Sequence, residues 1–133
     1  MLYREVPLNS IWEGSGNVQC LDVLRAMARG PQALEAFFGE VEESAGADAR
    51  LDAAAESLRT DLGDLDGIES RARRVVERMA LVLGGSLAVR YADPAVADAF
   101  CASRLGGDWG RTFGTLPAGT DFERIIERHT VPI

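Results

Sequence analysis

Apolar residues recur along this chain mostly at intervals of three and four positions, and no alternating strand pattern of useful length occurs. Such spacing gathers the apolar side chains on one face of an α-helix, which has about 3.6 residues per turn. We therefore predict an all-α protein. The expected architecture is an antiparallel bundle of five or six helices, formed as a single domain by residues 1–133.

The first half of the chain predicts three helices, which are separated by breaks that contain glycine. The first helix runs from about Gly16 to Arg29 and ends at Gly30-Pro31, because proline cannot continue a helix but suits the start of the next one. Asp48 is placed to cap the third helix, which ends at Gly63-Asp64. The positions expected to face inward are, helix by helix, Val18, Leu21, Leu24 and Ala28; Leu34, Phe37, Phe38 and Val41; and Leu51, Ala54, Ala55, Leu58 and Leu62.

The longest helix is predicted from about Leu65 to Tyr91, with an apolar seam close to a heptad repeat. Gly84-Gly85 lie inside it, and glycine there favours either a kink or a close contact with another helix. Asp93-Pro94 combines an N-cap with a proline at the first helical position, which predicts a fifth helix. The residues expected to face inward from these two helices are Leu65, Ile68, Ala72, Val75, Met79, Val82 and Leu83, and then Val96, Phe100 and Cys101.

The end of the chain predicts one loop and one short helix. Residues 106–119 hold five glycines together with Trp109 and Phe113, so we expect a loop that is packed by its own aromatic side chains and closes one end of the bundle. The alternative is a loop that approaches a ligand or a neighbouring subunit. Thr120 and Glu123 have the spacing of a capping box for a last helix. The apolar face of that helix is expected to carry Phe122, Ile125, Ile126 and His129.

The composition narrows the class of protein. With 133 residues, of which 47% are hydrophobic and 26% charged, the chain matches one globular domain and not a disordered tail. It has no apolar run long enough to span a membrane and no N-terminal signal pattern, so we expect a cytoplasmic protein without membrane contact. Cys20 and Cys101 are expected to be buried and reduced. No second metal ligand stands at a useful spacing from His129, the only histidine, so no metal site is predicted.

The net charge of −7 is unevenly distributed along the chain. Residues 1–67 hold 5 arginines and 13 acidic residues, whereas residues 68–133 hold 9 arginines and 8 acidic residues. An acidic balance argues against a general nucleic-acid surface. Four arginines nevertheless cluster on the long helix, where they fit either a solvated face paired with acidic neighbours or a stripe that touches phosphates: Arg71, Arg73, Arg74 and Arg78.

One segment holds residues that could serve a reaction. The string Ile11-Trp12-Glu13-Gly14-Ser15-Gly16-Asn17-Val18 places an acidic residue, small residues and polar side chains at the entrance to the first helix. Ser15 or Asn17 can cap that helix, and the free N–H groups of its first turn attract anions such as phosphate. Glu13, just before that turn, is favoured by the helix dipole. Taken alone, Glu13 and Ser15 are explained as capping residues.

A wider match gives this segment a second interpretation. Residues 4–17, followed by Cys20-Leu21-Asp22-Val23-Leu24-Arg25, closely resemble the C-terminal part of acyl-CoA dehydrogenases, and among them the AidB-type branch of the adaptive response to alkylation. The family pattern is aromatic-Glu-Gly-Thr, then a polar residue, then a helix. Trp12 stands in place of the usual Tyr, Ser15 in place of Thr, and Asn17 close to the polar position. The stretch 84–101 also resembles the AidB-type tail.

The resemblance implies an activity for a longer parent protein, of which this chain is expected to be a C-terminal fragment. Members of the family use FAD to carry out the α,β-dehydrogenation of acyl-CoA thioesters. By resemblance, Glu13 is the catalytic base that removes the α-proton. Residues 1–17 form the active-site loop that leads into the first helix, and the cofactor-binding positions in it are Trp12, Gly14, Ser15 and Asn17.

The same resemblance implies the partners. The parent is expected to bind acyl-CoA and to form a homo-oligomer, either a dimer or a tetramer. The isolated fragment supplies only one wall of a flavin site, so we expect it neither to retain FAD nor to be active. The rival interpretation is a non-catalytic helical module that contacts DNA or a partner protein during alkylation stress. DNA is the weaker candidate because the chain is acidic.

Overall fold

A computed structural model describes residues 15–107 and 114–130, and within these ranges the protein is helical and contains no strand, as predicted. The predicted bundle is confirmed, with six α-helices in the described ranges: α1 (Ser15–Arg29), α2 (Pro31–Glu42), α3 (Ala49–Gly63), α4 (Ala72–Tyr91), α5 (Pro94–Phe100) and α6 (Phe122–Glu127). A 3₁₀ turn (Ile68–Arg71) leads into α4, and a π-helical turn (Cys101–Leu105) follows α5. None of the described helices has the length and hydropathy needed to cross a membrane.

The main core cluster lies between α2, α3 and α4, and its buried members all occupy positions predicted to face inward. Leu51 and Leu58 are 1% and 0% exposed, and the rings of Phe37 and Phe38 pack edge to face with 5.1 Å between their centroids. Burying one side chain of this size stabilises the fold by about 1.5–3 kcal/mol relative to leaving it in water. The core cluster consists of Phe38, Val41, Leu51, Leu58, Leu62, Val75 and Val82.

Aspartate side chains cap α3 and α5, as the sequence predicts. A carboxylate oxygen of Asp48 accepts a hydrogen bond from the backbone N–H of Arg50 at 2.8 Å, and Asp93 accepts one from Ala95 at 2.9 Å. Each bond satisfies an N–H group of the first turn, which has no partner within its own helix. The two helix starts are therefore set by local sequence.

The last helix differs from the prediction in its cap and in its face. Asp121, and not Thr120, caps α6, since its carboxylate accepts from the backbone N–H of Arg124 at 3.0 Å. The hydroxyl of Thr120 instead donates to the carbonyl oxygen of Pro117 at 2.8 Å. Because α6 is short and packs against α5, it does not bury the face that periodicity assigned to it. Three of its four predicted inward residues are exposed: Phe122, Ile126 and His129.

The predicted inward face of α1 is also wrong in part. Val18 is 57% exposed and Ala28 is exposed, whereas Cys20 is buried and Met27 packs against the core. The helix therefore lies rotated from the orientation expected from its apolar stripe. The contacts of α1 with α2 and α4 decide how the helix is rotated about its axis. The spacing of its few apolar residues does not by itself specify that rotation.

The long predicted helix begins later than expected. Leu65 lies before α4 and is 63% exposed, instead of starting an apolar seam. Gly67 adopts a left-handed conformation with φ of 62°, which interrupts a right-handed helix. The rest of the seam is correct, since Ile68 packs against the core and Ala72, Val75 and Val82 are buried.

The glycine pair in α4 marks a close contact, one of the two alternatives that the sequence left open. A Cβ on Gly85 would lie 2.9 Å from Leu105 Cδ1 and 3.1 Å from Leu51 Cδ1, and one on Gly84 would lie 3.1 Å from Phe100 Cζ. Because α4 continues through both positions, the glycines allow its neighbours to approach without breaking the helix.

Ion pairs of Arg50 join the start of α3 to α5. Arg50 donates to both carboxylate oxygens of Asp48, at 3.0 and 2.6 Å, and to Asp98 of α5 at 2.7 Å. The hydrogen bond from the Arg50 side chain lowers the pKa of Asp48 to about 2.

Both cysteines are free and buried as predicted, and burial raises the pKa of Cys101 to about 11, so that its thiol stays protonated. Predicted inward residues Val96 and Phe100 are half-buried.

Replacing Gly85 by valine tests the close packing of α4. The branched side chain would enter space held by Leu51 and Leu105, and overpacking of this kind costs about 1–3 kcal/mol. The matched control is Gly39→Ala in α2, where an added Cβ meets no atom within 4 Å. Alanine there should raise the free energy of unfolding by about 0.5–1 kcal/mol. Urea denaturation measures both variants, and stabilisation by Gly85→Val would contradict the close contact.

Replacing Asp48 by asparagine tests the charge of the α3 cap. Asparagine caps about as well as aspartate, so this variant keeps the cap and loses the ion pair with Arg50. Because the folded-state pKa is lowered from 3.8 to about 2, the carboxylate contributes stability above pH 3.8 that is lost as the pH falls toward 2. The difference in unfolding free energy between the unmodified protein and Asp48→Asn should therefore shrink over that range. A difference that does not change with pH would show that the charge contributes nothing.

Candidate functional site

Some of the predicted site residues lie outside the described part of the chain, and the others lie at its start. Trp12, Glu13 and Gly14 lie outside the described residues, so their roles stay predictions. Ser15 and Asn17 lie in the first turn of α1, where Ser15 is half-buried and Asn17 is exposed. The described geometry is therefore that of the helix side of the predicted site.

The start of α1 provides hydrogen-bond donors and a favourable field for a negative charge. The helix has 15 residues and no acidic residue in its first turn. The N–H groups of a first turn have no acceptor within the helix, and the aligned peptide dipoles leave a partial positive charge there. An anionic group near Ser15 or Asn17 would be stabilised by both effects.

A cleft of about 330 Å³ opens beside this helix start, between α1 and the residues that lead into α4. Of the predicted cofactor-binding residues in the described ranges, Asn17 lines the cleft. The lining combines polar and apolar side chains, so the cleft can hold a polar group against an apolar wall. Its members are Asn17, Cys20, Leu21, Glu69, Ser70, Ala72 and Arg73.

Arg73 is a candidate site residue that sequence reasoning assigned only to a surface stripe. Its Nη2 atom lies 3.2 Å from the position that a Cβ on Gly16 would take. Because Gly16 has no side chain, the guanidinium can approach the backbone of the first turn of α1. No spacing in the sequence signals this approach, since Gly16 and Arg73 meet only through the packing of α1 on α4.

The electrostatics of the cleft favour anion binding on one side. The guanidinium of Arg73 and the helix start are both positive, while Glu69 is the one carboxylate among the lining residues. Within the described ranges, no group of three or more His, Cys, Asp or Glu side chains is arranged to hold a metal ion. The chemistry that this arrangement supports is therefore the binding of a phosphate or carboxylate group.

The four arginines of the long predicted helix do not form one continuous cationic surface. Arg71 donates to two backbone carbonyl groups of the segment before it, at 2.7 and 3.3 Å, and Arg78 forms an ion pair with Asp61 of α3. Arg73 and Arg74 are exposed. Arg71 and Arg78 thus each make contacts within the fold on different sides of the helix start, so the four arginines do not present a uniform stripe of unpaired charge.

Comparison with known proteins points to the acyl-CoA dehydrogenase family. The chain is 37% identical over 104 residues to a protein of Escherichia coli (strain K12) named "Putative acyl-CoA dehydrogenase AidB". The match covers 78% of this chain and 19% of that protein, so the chain spans about a fifth of the relative's length. No protein-family model matches the chain, and no solved structure matches it significantly.

The resemblance inferred from the sequence is therefore confirmed. This chain resembles the C-terminal region of an acyl-CoA dehydrogenase family protein of the AidB type. The small share of the relative that it spans fits the expected fragment of a longer protein.

Proposed function

We propose that this chain is the C-terminal helical domain of an FAD-dependent, acyl-CoA dehydrogenase-like oxidoreductase. The parent reaction is the α,β-dehydrogenation of an acyl-CoA thioester. The similarity to AidB carries this proposal, because it extends over 104 residues and 78% of the chain. The string from Trp12 to Asn17 supports it locally, since it leads directly into the helix start that can hold an anion.

The described residues suit the phosphate part of FAD. The first-turn N–H groups of α1 and the guanidinium of Arg73, 3.2 Å from the Cβ position of Gly16, are the kinds of donor that bind phosphate. In our proposal Ser15 and Asn17 contribute to this contact, and Trp12 packs at the edge of the flavin ring. When bound there, FAD supplies the acceptor for the hydride that leaves the β-carbon of the substrate.

Glu13 is the proposed catalytic base. A carboxylate is too weak a base for an ordinary C–H bond, so the α-proton can be removed only if the charge that develops on the thioester oxygen is stabilised. By the family resemblance, the backbone N–H of Glu13 donates a hydrogen bond to that oxygen. The proton then moves from the α-carbon to a carboxylate oxygen of Glu13.

In our proposal the rest of the parent protein supplies the walls of the flavin and acyl-CoA sites that this helical domain lacks. In this proposal residues 1–133 form a single helical domain, residues 1–17 form its active-site loop, and residues 106–119 close one end of the bundle. Because the relative is about five times as long as the matched region, most of the walls around a flavin and an acyl chain belong to other parts of the polypeptide. We propose that the parent binds acyl-CoA and assembles as a homo-oligomer in the cytoplasm.

The substitution Glu13→Gln in the full-length parent tests the proposed base. Glutamine preserves shape and most hydrogen bonds, so FAD should stay bound, while proton abstraction should fall by about 10²–10⁴-fold, the usual value of general-base catalysis. The measurement is the rate of flavin reduction by acyl-CoA in single-turnover kinetics, together with the flavin content of the purified protein. The matched control is Glu56→Gln on the exposed side of α3, which should change neither quantity.

An unchanged rate of flavin reduction in Glu13→Gln would show that Glu13 is not the base and acts as a helix-start acid. A variant that loses its flavin as well as its activity would instead assign Glu13 to cofactor binding. Either result would leave the family resemblance intact and would refute the proposed role.

The isolated 133-residue chain should be colourless and inactive after purification and after incubation with FAD. The reason is that a flavin needs enclosure on several sides, and this chain supplies the helix start and the loop before it as one wall. The visible absorption spectrum of the desalted protein measures retained flavin, and circular dichroism confirms that the chain is folded. Stoichiometric flavin in the folded chain would show that the cofactor site lies wholly within these residues.

A further inference from the structure

A second cavity lies away from the start of α1 and plays no part in the proposed reaction. It has a volume of about 530 Å³ and opens between α3, α4 and the π-helical turn after α5. Cavities of about 300–1,000 Å³ are typical of sites for small molecules. The residues that line it are Ala49, Arg50, Ala53, Ala54, Ser57, Arg78, Arg104, Leu105 and Gly106.

The floor of this cavity is formed by small residues on one face of α3. Ala49, Ala53 and Ser57 follow one another at intervals of four, so their short side chains lie in a row along the helix. Leu105 adds an apolar wall from the π-helical turn. The space above α3 is therefore open, and its floor and one wall suit a compact apolar group.

Three guanidinium groups reach the cavity from three different elements: Arg50 from α3, Arg78 from α4 and Arg104 from the π-helical turn. No carboxylate is among the residues that line it. Carboxylates that do not line the cavity balance two of these charges, since Arg50 pairs with Asp48 and Asp98, and Arg78 pairs with Asp61. The convergence of three guanidinium groups on one cavity and its shape together indicate a ligand with an anionic group.

Two of these arginines are held in place by carboxylates that do not line the cavity. Asp48 binds Arg50 through two hydrogen bonds, and Asp61 pairs with Nη1 of Arg78. Within the described ranges, the side-chain hydrogen bonds of Arg50 use Nε and Nη2, and that of Arg78 uses Nη1. The fixed guanidinium groups thus keep donors available, and less entropy is lost when a ligand binds them.

We propose that this cavity binds a small organic anion, in which a carboxylate or phosphate group is carried on a compact apolar body. The anionic group contacts the guanidinium groups, and the apolar body lies on the alanine floor of α3. The carboxylates paired with Arg50 and Arg78 orient these arginines and balance their charges, so recognition depends on the convergence of three side chains rather than on bulk attraction. This site is independent of the proposed dehydrogenase reaction.

The test is isothermal titration calorimetry of the folded chain with phenyl phosphate and with benzoate, compared with neutral phenol. Both anions should bind, and phenol should bind at least about tenfold more weakly because it cannot pair with a guanidinium group. Arg104→Gln should weaken anion binding by about tenfold, the loss expected for one charge-assisted hydrogen bond. Ala53→Phe, which fills the floor from an exposed position on α3, should weaken both anions and phenol.

Arg74→Gln is the matched control, because it removes one exposed arginine of α4 that does not line the cavity. It should leave the affinity for both anions unchanged, and circular dichroism should confirm that every variant is folded. Equal losses in Arg74→Gln and Arg104→Gln would show attraction to the whole surface and would overturn the proposal. Equal binding of phenol and the anions, or no binding of any of the three, would overturn it as well. Displacement of phenyl phosphate by duplex DNA with the salt dependence of a polyanion would assign the arginines to nucleic acid instead.

Discussion

The packing of α3 against α4 is the constraint on which the rest of the bundle depends. Leu51 and Leu58 of α3 are almost fully buried against Val75 and Val82 of α4. Gly85 lets Leu51 approach the backbone of α4 so closely that a Cβ there would meet it at 3.1 Å. Because protein interiors are close-packed, this contact fixes the relative position of the two helices and leaves little freedom to the elements that rest on them.

Both candidate binding regions are consequences of that packing. α1 rests on α4 and brings the guanidinium of Arg73 to the backbone at Gly16, which adds a positive charge to a helix start that already favours anions. The π-helical turn rests on α3 and α4, and its Leu105 contacts the space above Gly85. A shift of α4 along α3 would therefore change the cleft and the cavity together, although different arginines line them.

Much of the fold could be predicted from local sequence, and the exceptions have identifiable causes. The Asp48 and Asp93 caps are correct because a cap depends on residues only two positions apart. The capping box at Thr120 is wrong because a nearer acceptor, Asp121, competes for the same first-turn N–H groups. The late start of α4 comes from the left-handed conformation of Gly67, which an apolar seam does not indicate.

The sequence by itself determined the helical class, the positions of the core residues and the family resemblance, because periodicity, caps and motifs are properties of neighbouring residues. The sequence also predicted that Glu13 and its neighbours form the reactive segment, because a family motif can be matched without knowledge of the three-dimensional structure around it. Only the tertiary structure decided which side of α1 is buried, where Arg73 lies and that Arg50, Arg78 and Arg104 line one cavity. These features join residues far apart in the chain, and their meeting depends on helix rotation and close packing, which no local pattern encodes.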